Sequence, residues 1–261
     1  DANGCVGQQT FTINEPSASL SVTTASTLVA CPPANDGTAT VYPTGGTPPY
    51  NFLWGQGQIT NQIIAQSSGI YSCIVTDANG CPTTPATTSV TISDAPDLVL
   101  THTVTDPTCN GDSDGQITTT VVTGTLPISY SWQNIINPGI IISNNSSVSG
   151  LSDGVYTYFA EDFYGCQVFE PAIPVISPAA IVFGLSSIDP SLNGASDGSA
   201  ACSPLPSGGT GPGTYTYLWL GPNGYTATTP SISWIASGTY TLIVTDGLGC
   251  TSTNVVNIID P

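Results

Sequence analysis

The cysteines are the residues of this chain whose type and spacing most clearly imply chemistry. There are eight of them, against a single histidine. Widely spaced cysteines without histidine partners argue against a zinc site and favour disulfides formed in an oxidising compartment. The sequence therefore predicts a disulfide-stapled protein outside the cytoplasm.

Four of the cysteines end the same short phrase, Asp-x-x-Gly-Cys, which reveals an internal repeat. This closing phrase occurs at residues 1–5, 77–81, 162–166 and 246–250. The cysteines are separated by 76, 85 and 84 residues, a period that fits one small β-sandwich and is too long for a solenoid coil. The predicted units are the terminal strand of a preceding module at 1–16 and three whole modules at 17–95, 96–178 and 179–261.

Each module also has an opening loop that ends in Asp-Gly, and in two modules this loop begins with a cysteine. These are Cys31 and Cys109, whereas the third module has Leu192 at that position. The opening and closing cysteines of one module are its natural pair. We therefore expect the disulfides Cys31–Cys81 and Cys109–Cys166.

The remaining cysteines leave alternatives open. Cys250 has no opening partner in its own module, so we expect it to reach Cys202. Cys73 is either a free buried thiol or a competing partner for Cys31, and Cys5 is expected to pair outside this sequence.

Aspartates gather in the same opening and closing loops, which raises the possibility of a cation site. Asp112 and Asp114 alternate in the second opening loop, and Asp162 begins the second closing phrase. Converging carboxylates with no cationic neighbour suit a hard cation, so these three are the candidate ligands of a Ca²⁺ ion. The competing interpretation is that Asp-Gly and Asn-Gly are ordinary turn dipeptides whose side chains bond the backbone.

The segments that must position these loops predict an all-β protein. The chain has 28 glycines, 22 prolines and no methionine, and short alternating segments lie between turn residues. Each module has a tryptophan followed downstream by Gly-x-Tyr, as immunoglobulin-like sandwiches do. The tryptophans are Trp54, Trp132 and Trp219. We expect tandem immunoglobulin-like antiparallel β-sandwich modules that form an extended rod, with these tryptophans in the cores.

A fourth tryptophan, Trp234, has no counterpart in the other modules. This makes it the candidate for an exposed binding contact, although its alternation with Ile232 favours the core. His102 has no acid, base or nucleophile companion in the sequence pattern, and no catalytic motif occurs. The sequence predicts that the protein is not an enzyme.

The charge balance excludes several partners. With no lysine or arginine and 17 acidic residues, the formal net charge is −17. Phosphate backbones are bound by Lys and Arg, so a nucleic-acid partner is excluded, and no apolar run is long enough for direct membrane insertion. Proteases that need Lys or Arg have no site in this chain.

Three phrases together resemble the SprB-type repeat of bacterial surface adhesins. They are Cys-x-Gly-x-x-Asp-Gly, Gly-Gly-Thr-x-Pro-Tyr-x-x-x-Trp and Ser-Gly-x-Tyr-x-x-x-Val-Thr-Asp-x-x-Gly-Cys. The likeness recurs in all three modules and is plainest at residues 45–50 and 68–71. The resemblance implies long tandem arrays on very large surface proteins, exported by type IX secretion and associated with gliding motility and attachment. It names no ligand.

We therefore expect a structural stalk segment of a large extracellular adhesin or surface filament, resistant to proteases and held by disulfides. The alternative is a glycan- or protein-binding module of a secreted multidomain protein. A third possibility, an accessory domain of a secreted hydrolase, requires a catalytic domain elsewhere in a longer chain. The expected partners are neighbouring repeats of the same chain, and then surface glycans or other filaments.

Overall fold

The computed structural model describes residues 2–4, 6–12, 18–31, 33–83, 87–210 and 214–261. Within these ranges the regular structure consists of β-strands and one short 3-10 turn at Pro222–Gly224, with no α-helix. The predicted all-β class is confirmed. In the described part of the chain, no helix has the length and apolarity needed to cross a bilayer.

The predicted first repeat, residues 17–95, contains two antiparallel sheets that share one core. Its strands are β1 Ser21–Ser26, β2 Gly37–Thr44, β3 Asn51–Trp54, β4 Gln62–Gln66, β5 Gly69–Thr76 and β6 Thr88–Ile92. One sheet has the order β1-β2-β4 and the other the order β3-β5-β6. Buried side chains from both sheets form one cluster, which is the arrangement of a sandwich.

The predicted second repeat, residues 96–178, has the same plan with one additional strand. Its strands are β7 Val99–Thr105, β8 Gly115–Thr123, β9 Ser129–Asn134, β10 Ile141–Ser143, β11 Ser147–Leu151, β12 Gly154–Glu161 and β13 Gln167–Val175. The sheets have the orders β7-β8-β11 and β10-β9-β12-β13.

The predicted third repeat, residues 179–261, has the same plan as the second. Its strands are β14 Leu185–Ile188, β15 Gly198–Cys202, β16 Thr216–Leu220, β17 Thr226–Ala227, β18 Ser231–Ile235, β19 Gly238–Thr245 and β20 Thr251–Ile258. The sheets have the orders β14-β15-β18 and β17-β16-β19-β20. In every repeat the sequence thus builds the two antiparallel sheets expected of an immunoglobulin-like module.

The central strands β5, β12 and β19 direct every second side chain into the core, as the period of a strand requires. In β5 these side chains are Tyr71, Cys73 and Val75. Tyr158 and Leu242 take the place of Cys73 in the other two repeats, so Cys73 is a small core residue. Its thiol is free and burial raises its pKa. Of the two roles expected for Cys73, the free buried thiol is confirmed.

Two predicted signatures of the immunoglobulin-like sandwich are present in each repeat. The core tryptophans Trp54, Trp132 and Trp219 are at most 1% exposed. Their ring N–H groups donate to the backbone oxygens of Thr60, Asn145 and Thr229 over 2.8, 2.8 and 3.0 Å. The tyrosine hydroxyls donate to the carbonyl four residues upstream, in the pairs Tyr71–Ser67, Tyr156–Ser152 and Tyr240–Ala236. These are the tyrosine corners that the Gly-x-Tyr phrase predicts.

By compactness the chain divides into two units. The first comprises Asp1–Val99, Thr123–Ile128 and Glu161–Gln167, and the second comprises Leu100–Val122, Ser129–Ala160 and Val168–Pro261. Two loops of the second repeat therefore belong to the same unit as the first repeat. The predicted module boundaries stay a prediction.

The segment predicted as the terminal strand of a preceding module, residues 1–16, is described at 2–4 and 6–12. These residues form a turn and exposed irregular chain, without a strand. Gly4 has φ +83°, close to Gly80 and Gly165 at +80°, so the turn of the closing phrase is present here as well.

Candidate functional site: the loops that join the repeats

The aspartate of each closing phrase holds its loop by accepting backbone hydrogen bonds. Oδ1 of Asp77 accepts the N–H groups of Asn79 and Cys81 over 3.0 and 2.9 Å, and Oδ2 accepts that of Thr47 over 3.0 Å. The other two repeats have the same three bonds. Asp162 accepts the N–H groups of Tyr164, Cys166 and Thr125. Asp246 accepts those of Leu248, Cys250 and Thr210. We call Asp77, Asp162 and Asp246 the clamps, because each holds the backbone of its closing loop. Each clamp is at most 5% exposed.

These hydrogen bonds lower the pKa of two of the clamps. Backbone donation, first from Cys81 and then from Thr47, lowers the pKa of the Asp77 carboxyl. Donation that comes first from Thr210 lowers the pKa of Asp246 in the same way. Hydrogen bonds to the charged form favour that form, so both carboxylates stay ionised at neutral pH without any cationic partner.

A glycine before the donating threonine lets the turn approach the carboxylate. Gly46 and Gly209 have φ of +64° and +66°, and a Cβ there would lie 3.2 and 2.6 Å from Oδ2 of the clamp. Only glycine adopts that conformation and fits that space easily. The Gly-Thr turn and the closing phrase are therefore two halves of one structure.

The opening loops are built around a second carboxylate. Oδ1 of the Asp-Gly aspartate accepts the backbone N–H six residues upstream at 2.9 Å in all three repeats, in the pairs Asp36–Ala30, Asp114–Thr108 and Asp197–Ser191. A backbone hydrogen bond then closes the turn of the loop. The N–H of residue 34, 112 or 195 donates to the carbonyl of residue 31, 109 or 192, respectively. Leu192 therefore occupies the same place in the same loop as Cys31 and Cys109.

The disulfides connect different repeats, and the predicted pairing within repeats is wrong. Cys31 of the first repeat is bonded to Cys166 of the second, with the Cα atoms 5.0 Å apart. Cys109 of the second repeat is bonded to Cys250 of the third, with the Cα atoms 5.5 Å apart. Both predicted bonds, Cys31–Cys81 and Cys109–Cys166, are thereby excluded, because each opening cysteine has its partner in the next repeat.

The geometry of strand β2 explains this result. Its first residue, Gly37, follows the opening loop, and its last residue, Thr44, leads into the turn held by Asp77. The opening and closing loops of one repeat thus lie at opposite ends of an eight-residue strand, about 25 Å apart at ~3.3 Å per residue. A disulfide needs Cα atoms within about 7 Å, so the two cysteines of one repeat cannot pair.

The other predicted disulfide cysteines are free. Cys202 is buried at a core position of β15 and does not bond Cys250. Burial raises the pKa of its thiol. Cys81 is exposed and free, whereas its equivalents Cys166 and Cys250 are 3% and 7% exposed. Cys5 lies outside the described residues.

The chain around each disulfide comes from the connection that leads into the following repeat. A cavity beside Cys109 and Cys250 is lined by Pro178 and Ala179, and the side-chain amide of Asn110 donates to the carbonyl of Pro178 over 3.0 Å. Beside Cys31 and Cys166 the equivalent lining residues are Asp97 and Leu98. Each opening loop therefore docks on the connection and the closing loop of the next repeat.

Two of the predicted calcium ligands already accept hydrogen bonds from protein donors. Asp114 accepts two hydrogen bonds from Thr108, and Asp162 is a closing-loop clamp. Within the described ranges, the group of three metal-ligating side chains that converges within 4.8 Å consists of Cys31, Asp162 and Cys166. Its two cysteines are the first disulfide, and it includes neither Asp112 nor Asp114. The turn interpretation of these aspartates explains their contacts.

Trp234 is 79% exposed, so the core placement suggested by its alternation with Ile232 is wrong. Strand β18 pairs with β15 with one extra residue between Ser233 and Ile235, which is a β-bulge. The extra residue breaks the two-residue period, and Trp234 takes φ +59°. The bulges of β11 and β4 have Gly150 and Ala65 at the same place, with φ +74° and +57°.

Two segments of the chain, residues 23–58 and 101–136, match the SprB repeat family. Each runs from the first strand of a repeat, through the opening loop, to just beyond the core tryptophan. The resemblance noted in the sequence is confirmed for the first and second repeats. A comparison with curated proteins finds no significant match.

Among solved structures, the chain is similar to the three N-terminal domains of the highly immunogenic outer capsid protein of bacteriophage RB49, at 12% identity and TM-score 0.48, covering 92% of this chain and 95% of that one. It is also similar to the ectodomain of mouse nectin-like molecule 4, at 13% identity and TM-score 0.29, covering 93% and 95%. A third match is the first eight immunoglobulin domains of Down Syndrome Cell Adhesion Molecule, at 11% identity and TM-score 0.36. That match covers 94% of this chain and 44% of that one.

The SprB repeats and the two disulfides together indicate an adhesin-type repeat module of a secreted or surface protein.

Proposed function

We propose that this chain is a stalk segment of a large extracellular adhesin or surface filament, and that its disulfides limit how far the stalk stretches under tension. The observation that carries the proposal is the overlap of two disulfides, Cys31–Cys166 and Cys109–Cys250. Because the residues between 109 and 166 lie inside both closed loops, neither loop opens fully under tension.

The shortest covalent path between the two ends uses both disulfides. It runs forward to Cys31, crosses to Cys166, runs back to Cys109, crosses to Cys250 and continues to the end. This path contains about 100 residues and spans ~350 Å when fully extended, against ~900 Å for the reduced chain at ~3.5 Å per residue. The disulfides therefore limit the length that the stalk reaches when its repeats unfold to well under half that of the reduced chain.

The composition supports the same role. The chain has no lysine or arginine, so its carboxylates form no salt bridges with such side chains. This loss is small, because an exposed ion pair contributes only ~0–1 kcal/mol to stability. The hydrophobic cores, the backbone hydrogen bonds between strands and the disulfides stabilise the repeats instead. Proline in the connections between repeats and like charge on every repeat favour an extended array.

Single-molecule stretching tests the proposal. The oxidised chain, pulled from its two ends, should reach a final extension of ~350 Å at ~3.5 Å per residue. Reduction should release ~900 Å, and the double variant Cys109→Ser/Cys250→Ser should give an intermediate value near 440 Å, from a path of about 125 residues. Equal final extensions for the oxidised and reduced chains would contradict the proposal.

A second candidate function is glycan or protein binding through Trp234. The favouring observation is an indole that is 79% exposed on a backbone at φ +59°. A bulky residue in this conformation is strained, and strained residues cluster at binding and active sites. The expected ligand is a neutral sugar or a partner surface, because an anionic one would be repelled by the net charge of −17.

Tryptophan fluorescence can test binding at this position directly. Trp54, Trp132 and Trp219 are buried, so quenching by neutral acrylamide reports chiefly on Trp234. A bound oligosaccharide should protect the emission of the native chain and have no effect on the Trp234→Ala variant. Unchanged quenching across a panel of neutral oligosaccharides and candidate protein partners would count against this function.

A further inference from the structure

We propose that Cys81 is the receiving half of a further inter-repeat disulfide, whose other half is the opening-loop cysteine of an SprB-type repeat on the N-terminal side of the first repeat. The inference concerns covalent linkage along the array and holds whether or not the array works as a stalk under tension.

The closing loop that contains Cys81 has the same structure as the two loops that already accept a disulfide. The backbone N–H of Cys81 donates to its clamp over 2.9 Å, as those of Cys166 and Cys250 do over the same distance. The preceding glycine has φ +80°, against +80° and +92° in the other loops. The thiol is therefore presented as its two equivalents are.

Burial distinguishes the three cysteines. Cys166 and Cys250, each covered by an opening loop, are 3% and 7% exposed, whereas Cys81 is exposed and its thiol is free. Because the hydrogen-bonded turn of the closing phrase is the same in all three, we attribute the difference in exposure to the docked opening loop. The turn that presents Cys81 is therefore the one that receives an opening loop at Cys166 and Cys250.

The sequence also indicates where that loop belongs. Residues 1–5 spell a closing phrase, which marks the end of a repeat directly before the first one. An opening cysteine of that repeat would pair with Cys81 as Cys31 pairs with Cys166. In the direction of the chain, each repeat would donate one cysteine forward and accept one from behind.

The third repeat shows where this series stops. Leu192 replaces the opening cysteine and is 71% exposed. Its loop is intact, since Asp197 accepts the N–H of Ser191 over 2.9 Å and Gly194 has φ +77°, close to Gly111 at +86°. Replacing Leu192 with cysteine would therefore restore a donating loop without rebuilding it.

Formation of the bond is an exchange with a small-molecule disulfide such as oxidised glutathione. The Cys81 thiolate, after losing its proton to solvent, attacks the glutathione disulfide and releases one glutathione thiolate. The opening-loop thiolate then attacks the Cys81 sulfur of the mixed disulfide and releases the second glutathione thiolate. Two protein thiols and one glutathione disulfide thus give one protein disulfide and two reduced glutathione molecules.

The test introduces a cysteine into the opening loop of the third repeat and determines whether it forms a disulfide with Cys81 of a second copy of the chain. The variant Leu192→Cys, made in a Cys5→Ser background, is oxidised in glutathione buffer and analysed by non-reducing electrophoresis. We expect a ladder of head-to-tail oligomers. The longer oligomers should become more abundant as the protein concentration rises, because separate copies, unlike tandem repeats of one chain, must first meet in solution. Adding Cys81→Ser should abolish the ladder, and the background variant alone should stay monomeric.

Peptide mapping identifies the bond. Digestion at aspartate, suited to a chain without lysine or arginine, should recover the peptide of position 192 joined to that of Cys81. A symmetric dimer through position 192, a link to Cys73 or Cys202, or a monomer under all conditions would overturn the inference. In the parent chain, a maleimide should label Cys81 in the folded state and label Cys73 and Cys202 only after denaturation.

Discussion

The backbone N–H of Thr47 donates to the carboxylate of Asp77 over 3.0 Å, and this bond joins two recurring phrases that lie 30 residues apart. The turn that contains Thr47 and the loop that begins at Asp77 thereby form one end of the first repeat. The same bond links Thr125 to Asp162 and Thr210 to Asp246. The clamp therefore holds each closing loop in one conformation, and two of these loops carry a disulfide.

The clamps make stability depend on acid pH. The pKa values of Asp77 and Asp246 are lowered in the folded state. The two carboxylates therefore contribute fully to the free energy of unfolding at pH values above the pKa of an aspartate in the unfolded chain, about 4. This contribution is lost as the pH falls through the lower pKa of the folded state. We expect Asp77→Asn to lower the melting temperature at pH 7, because its amide nitrogen cannot accept the Thr47 N–H. The deficit relative to wild type should shrink as pH falls below 4.

Asp112→Asn is the matched control for this experiment. It makes the same charge change at an exposed carboxylate of an opening loop. Melting curves from pH 7 to pH 2 should show little difference between this variant and wild type at neutral pH. An equal loss for both variants would indicate that net charge, and not the clamp, is responsible.

Removing the second disulfide should destabilise the chain markedly. Cys109 and Cys250 are 141 residues apart in sequence, and closing a loop of that size stabilises by up to about 5 kcal/mol in the chain-entropy model. The double variant Cys109→Ser/Cys250→Ser avoids leaving an unpaired thiol. Urea unfolding should show the loss, and Cys81→Ser, which removes an exposed free thiol, should show none.

The bulge at Trp234 predicts an unusual stabilising substitution. Gly150 occupies the same position in the second repeat, and a left-handed conformation costs a non-glycine residue about 1–2 kcal/mol. We expect Trp234→Gly to be more stable than Trp234→Ala by about 1 kcal/mol, since both remove the indole and only glycine relieves the backbone. Ala65→Gly should act in the same direction in the first repeat. If the alanine variant is the more stable, the backbone at Trp234 is not strained.

Calcium should have no specific effect on unfolding. The oxygens of Asp162 accept backbone hydrogen bonds, and those of Asp114 accept bonds from Thr108, so both carboxylates are already held by protein donors. We expect equal melting curves in calcium chloride and in sodium chloride of matched ionic strength. A rise with calcium that Asp112→Ala removes would restore the predicted site.

Trypsin should leave even the denatured, reduced chain intact. The cause is the absence of lysine and arginine, so denaturation separates this property from tight folding. A protease that cleaves at aspartate or at aromatic residues should digest the same sample fully. Discrete tryptic fragments on a gel would contradict the explanation from composition.

Local sequence patterns determined most of the fold. The two-residue period of segments such as β5 selected which side chains enter the core, and the Gly-x-Tyr phrase placed Tyr71 at its corner. Trp54 could be assigned to the core because the same residue recurs at the same place in each repeat. These predictions succeeded because strand period and turn chemistry act over a few residues.

Only the tertiary structure decided which cysteines meet and which tryptophan is exposed. Repeat spacing gives Cys31 two equivalent candidates, Cys81 and Cys166, and the choice depends on which end of the sandwich each loop occupies. Strand direction settles it, because β2 separates the opening loop from the closing loop of its own repeat. The exposure of Trp234 likewise depends on one extra residue in the pairing of β18 with β15, and pairing register is set by contacts between distant segments.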